Sequence, residues 1–183
     1  MTATVLDPRT ALIVVDLQKG ITALPTAHPA ADVVARAATL ADAFRAKGLP
    51  VVLVRVTGGA PGRTEGPARS GQPAADWADI VPEMGPAEGD IVVTKQQWGA
   101  FYGTDLDLQL RRRGVTQVVV AGIATSIGVE STARSAHEHG YHVTLATDAM
   151  TDMNGEAHDN SVRRIFPRLG ETGTTDEIVK LLG

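Results

Sequence analysis

The chain has 183 residues, 43% of them apolar and 21% charged, with no cysteine and a formal net charge of −4. That size and balance fit a single globular domain with a sizeable core, and the acidic sign speaks against nucleic acid as a partner, since phosphate binding leaves a basic patch. The missing cysteine excludes disulfides, thiolate catalysis and zinc–sulfur sites. No apolar run reaches the roughly 20 residues that span a bilayer, and MTATVLDPRT lacks the layout of a signal peptide, so a cytoplasmic protein with no membrane partner is expected.

Residues 11–16, ALIVVD, form an apolar run that ends in a carboxylate, the pattern of a parallel strand buried on both faces. Apolar positions at Val33, Val34, Ala37, Leu40, Ala41 and Phe44 predict a helix over 30–47, with Gly48 at its C-terminal cap. PVVLVR, 50–55, is the next strand, and a Gly/Pro-rich stretch from Thr57 to Gly89 has the composition of an active-site lid. DIVVTK, 90–95, predicts a third strand, followed by a helix from Thr104 to Arg113 with a capping box formed by Thr104 and Asp107. Strands at 116–123 and 142–149 flank a helix at 126–139, and a helix at 155–166 is expected to stop against Pro167. The tail reads as a short edge strand and a last helix capped by Thr174 or Thr175.

Strands alternate with helices and no composition break divides them. The expectation is one domain over residues 1–183, a three-layer α/β/α fold around a doubly wound, mostly parallel, six-stranded, Rossmann-like sheet. In such sheets ligands bind beyond the carboxyl ends of the strands, near the switch in strand order. Asp16 and Lys95 both end apolar strands. Taken singly, Asp16 reads as a turn cap and Lys95 as a solvated edge charge. Together, opposite charges at the ends of separate buried strands suggest a facing pair. The junction Gly122–Gly128 adds small residues at a helix N-terminus, either for close approach of a ligand or for tight helix–sheet packing.

VVDLQ, VVTKQQWGAFYGTDLDLQLRRRG and VVVAGIATSIGVESTARSAHEHGYHVTLATDA together resemble the isochorismatase-like hydrolase superfamily, from about residue 10 to FPRLGE. The resemblance implies a catalytic Asp, Lys and Cys. Asp16 and Lys95 match the first two, and the cysteine position falls on Gly128. It also implies a cofactor-free hydrolase and a homo-oligomer, dimer or tetramer, acting on a small, carboxylate-bearing molecule. Isochorismatases proper resemble this chain in having glycine there. They cleave a vinyl ether to release pyruvate, so the resemblance implies Asp16 as general acid, Lys95 orienting it or holding a substrate carboxylate, and Gly128 leaving room for the substrate. The chain departs from them at Ala124, where an aromatic is usual, and at Ile21. Gly-Ile-Ala-Thr looks more like the amidase branch. No Asp-x-His element of the zinc-binding relatives is present, and no metal is expected.

Further candidates for substrate binding are Gln18, Arg63 in the presumed lid, Trp98, Phe101, Ala124 and Thr125. Arg63 reads equally as a solvated loop cation, and Trp98 and Phe101 as core or dimer packing. Ser126 lacks the first glycine of the GxSxG elbow and reads as a helix cap. Asp148 reads as the cap of the turn that follows it, and His137, His139, His142 and His158 as solvated or core-edge histidines. Two other functions remain open: a binding protein that has lost the thiol, and an amide hydrolase with another nucleophile.

Overall fold

The computed structural model describes residues 3–66 and 72–183. In chain order it contains β1 (Thr10–Val15), a single turn α1 (Lys19–Thr22), α2 (Ala30–Ala46), β2 (Val51–Val56), β3 (Ile91–Lys95), α3 (Leu106–Arg112) and β4 (Gln117–Ile123). A wide π-turn at Thr125–Val129 leads into α4 (Glu130–Glu138), followed by β5 (His142–Thr151) and α5 (Gly155–Asn160). A second wide turn, Ser161–Ile165, precedes α6 (Phe166–Leu169), β6 (Glu171–Gly173) and α7 (Thr175–Leu182). The six strands form one parallel sheet in the order β3-β2-β1-β4-β5-β6.

Side-chain alternation on the strands builds two cores. Ala11, Ile13 and Val15 of β1 face the layer of α3, α4 and α6, where they meet Leu106, Leu110, Val129, Ala133 and Phe166. Leu12 and Val14 face α2 and α7, against Leu40, Phe44 and Ile178. Each fully buried aliphatic or aromatic side chain contributes roughly 1.5–3 kcal/mol of transfer free energy. This explains why both faces of β1 and β4 are apolar beyond their first residues, Thr10 and Gln117. The chain leaves β1 for β2 and β3 on one side and later returns on the other with β4. The switch crevice therefore opens between the ends of β1 and β4, where Asp16 and Ala124 stand.

Gly122 makes the junction between those strands possible. It pairs with Val15, has φ +122°, and a Cβ there would collide with the Val15 backbone. No other residue fits so close an approach.

The long connection from β2 to β3 is packed over its described second half. Lys19 and Gly20 donate their N–H groups to the carbonyls of Asp79 and Trp77 (both 2.9 Å), and Val81 N–H donates to the Leu17 carbonyl at 3.1 Å. The Trp77 indole covers Gly20, Met84 is buried, and Arg45 binds the Met84 carbonyl and the Asp90 carboxylate. Part of the stretch read as a lid is thus bound to the loop after β1.

Three local expectations need correction. Thr104 and Asp107 form no capping box: the Thr104 hydroxyl accepts from Leu106 N–H and donates to the Ala100 carbonyl, while Asp107 is taken by Tyr141 and Arg111. Pro167 does not end a helix. The wide turn resets the chain so that the proline falls in the first turn of α6, where its missing N–H costs nothing. Strand β5 runs to Thr151 because a register shift between Val120 and Gly122 lets it pair with the end of β4. The capping box of α7 is complete, with Thr174 and Glu177 bonding reciprocally.

Candidate active site

Asp16 follows β1 with φ +55°, a left-handed conformation that Asp tolerates better than bulkier residues, and its N–H donates to the Val54 carbonyl at 2.9 Å. The turn drops its carboxyl into the crevice, 8% exposed. Lys95 ends β3, where alternation buries Ile91, Val93 and Lys95 on the same face. Its side chain passes the end of β2 and brings Nζ to 2.7 Å from Asp16 Oδ2 and 3.1 Å from the Gln97 carbonyl. Oδ1 of Asp16 is buried and has no hydrogen-bond partner among the described residues. Burial pushes the Asp16 pKa up, and the Lys95 charge only partly opposes it, so the group titrates at about 6.

Gly128, in the π-turn, completes the group. A Cβ at that position would stand 3.3 Å from Asp16 Oδ2, 3.0 Å from Val15 Cγ1 and 3.6 Å from the Trp98 carbonyl oxygen. The Gly128 carbonyl accepts from Thr132 Oγ1 (2.7 Å), which in turn accepts from Ala100 N–H (3.1 Å). That chain of bonds fixes the β3–α3 loop against the turn. A carboxyl, an ammonium group and a side-chain-free glycine therefore meet at the switch point.

The remaining candidates disperse. Gln18 is fully buried: its Oε1 accepts from Val56 N–H at 2.8 Å, and its Nε2 donates to the carbonyls of Val56 and Trp77. It pins β2 and the long loop to the residues after β1. Phe101 is a correction. Its ring lies in the core beside His139 and Tyr141, which precede β5 at the opposite end of the sheet from Asp16. Trp98 is 65% exposed, and its carbonyl oxygen approaches Gly128. Arg63 is exposed and does not bond to the Asp16–Lys95 pair. Ala124 and Thr125 are buried, and the Ala124 carbonyl accepts from both Ile127 and Val129 N–H at 3.1 Å.

Two residues missing from the expected site hold this turn from outside. Asp152, just past β5, accepts Ser126 N–H at 2.7 Å and Ser126 Oγ–H at 2.8 Å on Oδ2, and Asn154 N–H at 3.1 Å on Oδ1. His158 is buried with Nδ1 2.8 Å from Thr125 Oγ1, its ring 4.7 Å from that of His28. Burial first, and the neighbouring His28 second, lower its pKa. Asp148, expected to cap the turn after β5, instead accepts from Thr175 at the start of α7 and pairs with Arg36. An open groove of about 450 Å³ beside Lys19, Arg55 and Val92 lies on the α2 side of the sheet, and Asp16 does not line it.

A model of the isochorismatase domain matches residues 10–177. The chain is 48% identical over 179 residues to the uncharacterized isochorismatase family protein YwoC of Bacillus subtilis (strain 168), an alignment that covers 94% of this chain and 93% of that protein. An isochorismatase family protein from Burkholderia thailandensis superposes with a TM-score of 0.93 at 43% identity, over 97% of both chains. N-carbamoylsarcosine amidase from Thermoplasma acidophilum superposes with a TM-score of 0.76 at 29% identity, over 92% of this chain and 97% of that one. No helix among the described residues is long and apolar enough to cross a membrane.

Proposed function

The chain belongs to the isochorismatase family of hydrolases, and on that premise we propose that it hydrolyses a small vinyl ether by acid catalysis, with isochorismate or a related carboxylate as substrate. The observation that carries this reading is the buried Asp16 carboxyl, whose Oδ1 has no hydrogen-bond partner among the described residues and whose Oδ2 stands 3.3 Å from where a Cβ at Gly128 would lie. Lys95 occupies Oδ2 in either protonation state, so Oδ1 is the atom left to carry a proton. A carboxyl that titrates at about 6 holds that proton in a useful fraction of molecules near neutral pH.

The protonated Oδ1 gives its proton to the terminal methylene carbon of the enol ether as the π electrons form the new C–H bond. The resulting oxocarbenium ion is stabilised by the Asp16 carboxylate just formed. Water adds to the oxygen-bearing carbon of that ion and returns a proton to Asp16, and the hemiketal collapses to pyruvate and the alcohol. The net reaction is one vinyl ether and one water to one pyruvate and one alcohol, with no covalent enzyme intermediate. A thiolate route is closed to this chain, which contains no cysteine. Gly128 leaves open the space over Asp16 that a side chain would take.

Pyruvate release from isochorismate, followed by coupling to NADH oxidation through lactate dehydrogenase, tests the proposal. Turnover that disappears in Asp16→Asn is expected. Turnover retained in that variant would refute the assignment of the acid.

A further inference from the structure

We infer that Asp152 is a specificity-determining residue: its buried carboxylate already fills the anion position at the head of the Thr125–Glu138 helical segment, so the site accepts an uncharged group against the Ala124–Gly128 turn and repels a carboxylate there. The inference rests on the reading of Asp16 and Gly128 as the reaction centre and adds the polarity of the substrate portion that meets the turn.

A helix start with exposed N–H groups attracts anions. Here the attraction is satisfied internally. Asp152 is 3% exposed, and its two oxygens take three hydrogen bonds, from Ser126 N–H, Ser126 Oγ–H and Asn154 N–H. Neither lysine nor arginine is among its partners in the described residues, so the charge is held by dipoles and is not cancelled. The neighbouring hydroxyl of Thr125 is also occupied, by His158, which burial keeps toward its neutral form. Lys95, the cation nearest the reaction centre, is bound to Asp16. A second carboxylate brought to the turn would meet an uncompensated negative charge at Ser126, two residues from Gly128. A carbonyl, amide or ether oxygen meets no such repulsion. Any carboxylate of the substrate must then lie on the Lys95 side of Asp16.

Alkylation rates at an introduced thiol test this without any turnover. In Gly128→Cys the thiol stands beside the turn, and iodoacetamide and iodoacetate differ chiefly in charge. The ratio of their rates, each divided by the rate with glutathione, reports the field at that point. The expected ratio favours iodoacetamide. Adding Asp152→Asn lowers the preference about tenfold, the order expected for one charge several ångströms away in a partly screened site. Adding Ser126→Ala, which removes a bond to Asp152 but keeps its charge, leaves the ratio within about twofold of the Gly128→Cys value. Asp152→Ser serves as a second neutral variant should Asp152→Asn fail to fold. A ratio unchanged by loss of the Asp152 charge would overturn the inference, as would failure of iodoacetamide to enter. Because neither reagent reports hydrolysis, a negative result leaves the proposed reaction standing, and failure to release pyruvate leaves this inference standing.

Discussion

Lys95 Nζ lies 2.7 Å from Oδ2 of Asp16, while Oδ1 of the same carboxyl is buried without a partner among the described residues. The two oxygens thus differ in their surroundings: one is anchored to a cation, and the other is the one that the proposed mechanism uses to carry the proton. Desolvation outweighs the lysine, which is why the carboxyl titrates at about 6 and not below the usual carboxylate range.

Lys95→Met removes the group that opposes desolvation. The Asp16 pKa then moves up by roughly 1–3 pH units, measurable from the carboxyl carbon by NMR titration. The sign for stability follows. In the native state Asp16 holds its proton to a higher pH than the unfolded chain does, so its contribution is full below about pH 4 and is lost as pH rises through the native value. In Lys95→Met that loss starts at the same pH but continues to a higher one and is larger, and chemical denaturation at pH 5 and pH 9 reads the difference.

Asp16→Asn should lower turnover by about 10²–10⁴-fold, the usual contribution of a positioned acid. Asparagine tolerates the left-handed backbone at this position, so the backbone itself is not the source of any destabilisation. The structure does predict one from Lys95, left buried without its counter-charge and facing only amide oxygens, of about 3–5 kcal/mol at neutral pH. The double variant Asp16→Asn/Lys95→Met regains most of that stability and none of the activity. Thermal melts of the three proteins beside the pyruvate assay separate the two effects.

The two glycines at the β4 end should behave differently on substitution by alanine. Gly122→Ala places a Cβ against the Val15 backbone at a positive φ, and a loss of about 3 kcal/mol or more is expected from strain and collision. Gly128→Ala needs only a few tenths of an ångström from the Val15 side chain and removes a flexible residue from a helical turn, so stability changes by about 1 kcal/mol or less. Its methyl group enters the space over Asp16, and turnover falls at least about tenfold. Urea denaturation together with activity distinguishes a folding glycine from a site glycine.

The layout of the sheet was legible because strands such as ALIVVD and QVVVAGI are buried on both faces and read as unbroken apolar runs. Asp16 and Lys95 were visible for the same reason, since charged residues stand out where such runs end, whereas Gly128 was singled out by the family resemblance, which places it at the cysteine position. Contacts between distant segments left no such trace. Asp152 and His158 act through Ser126 and Thr125, some 26 and 33 residues away in sequence, and only the extension of β5 brings them there. Phe101 resembled a pocket wall because it follows a strand end, yet the loop reverses at Ala100–Thr104 and turns the ring into the core. The Gln18 amide resembled a substrate contact, but Val56 at the end of β2 and the Trp77 carbonyl consume it.

The pH dependence of kcat/KM for pyruvate release from isochorismate tests the acid role of Asp16 most directly. The account predicts a rate that falls as pH rises through about 6, as Asp16 Oδ1 loses its proton, and a falling limb displaced upward in Lys95→Met. A rate that climbs through the same range would make Asp16 a base and contradict it.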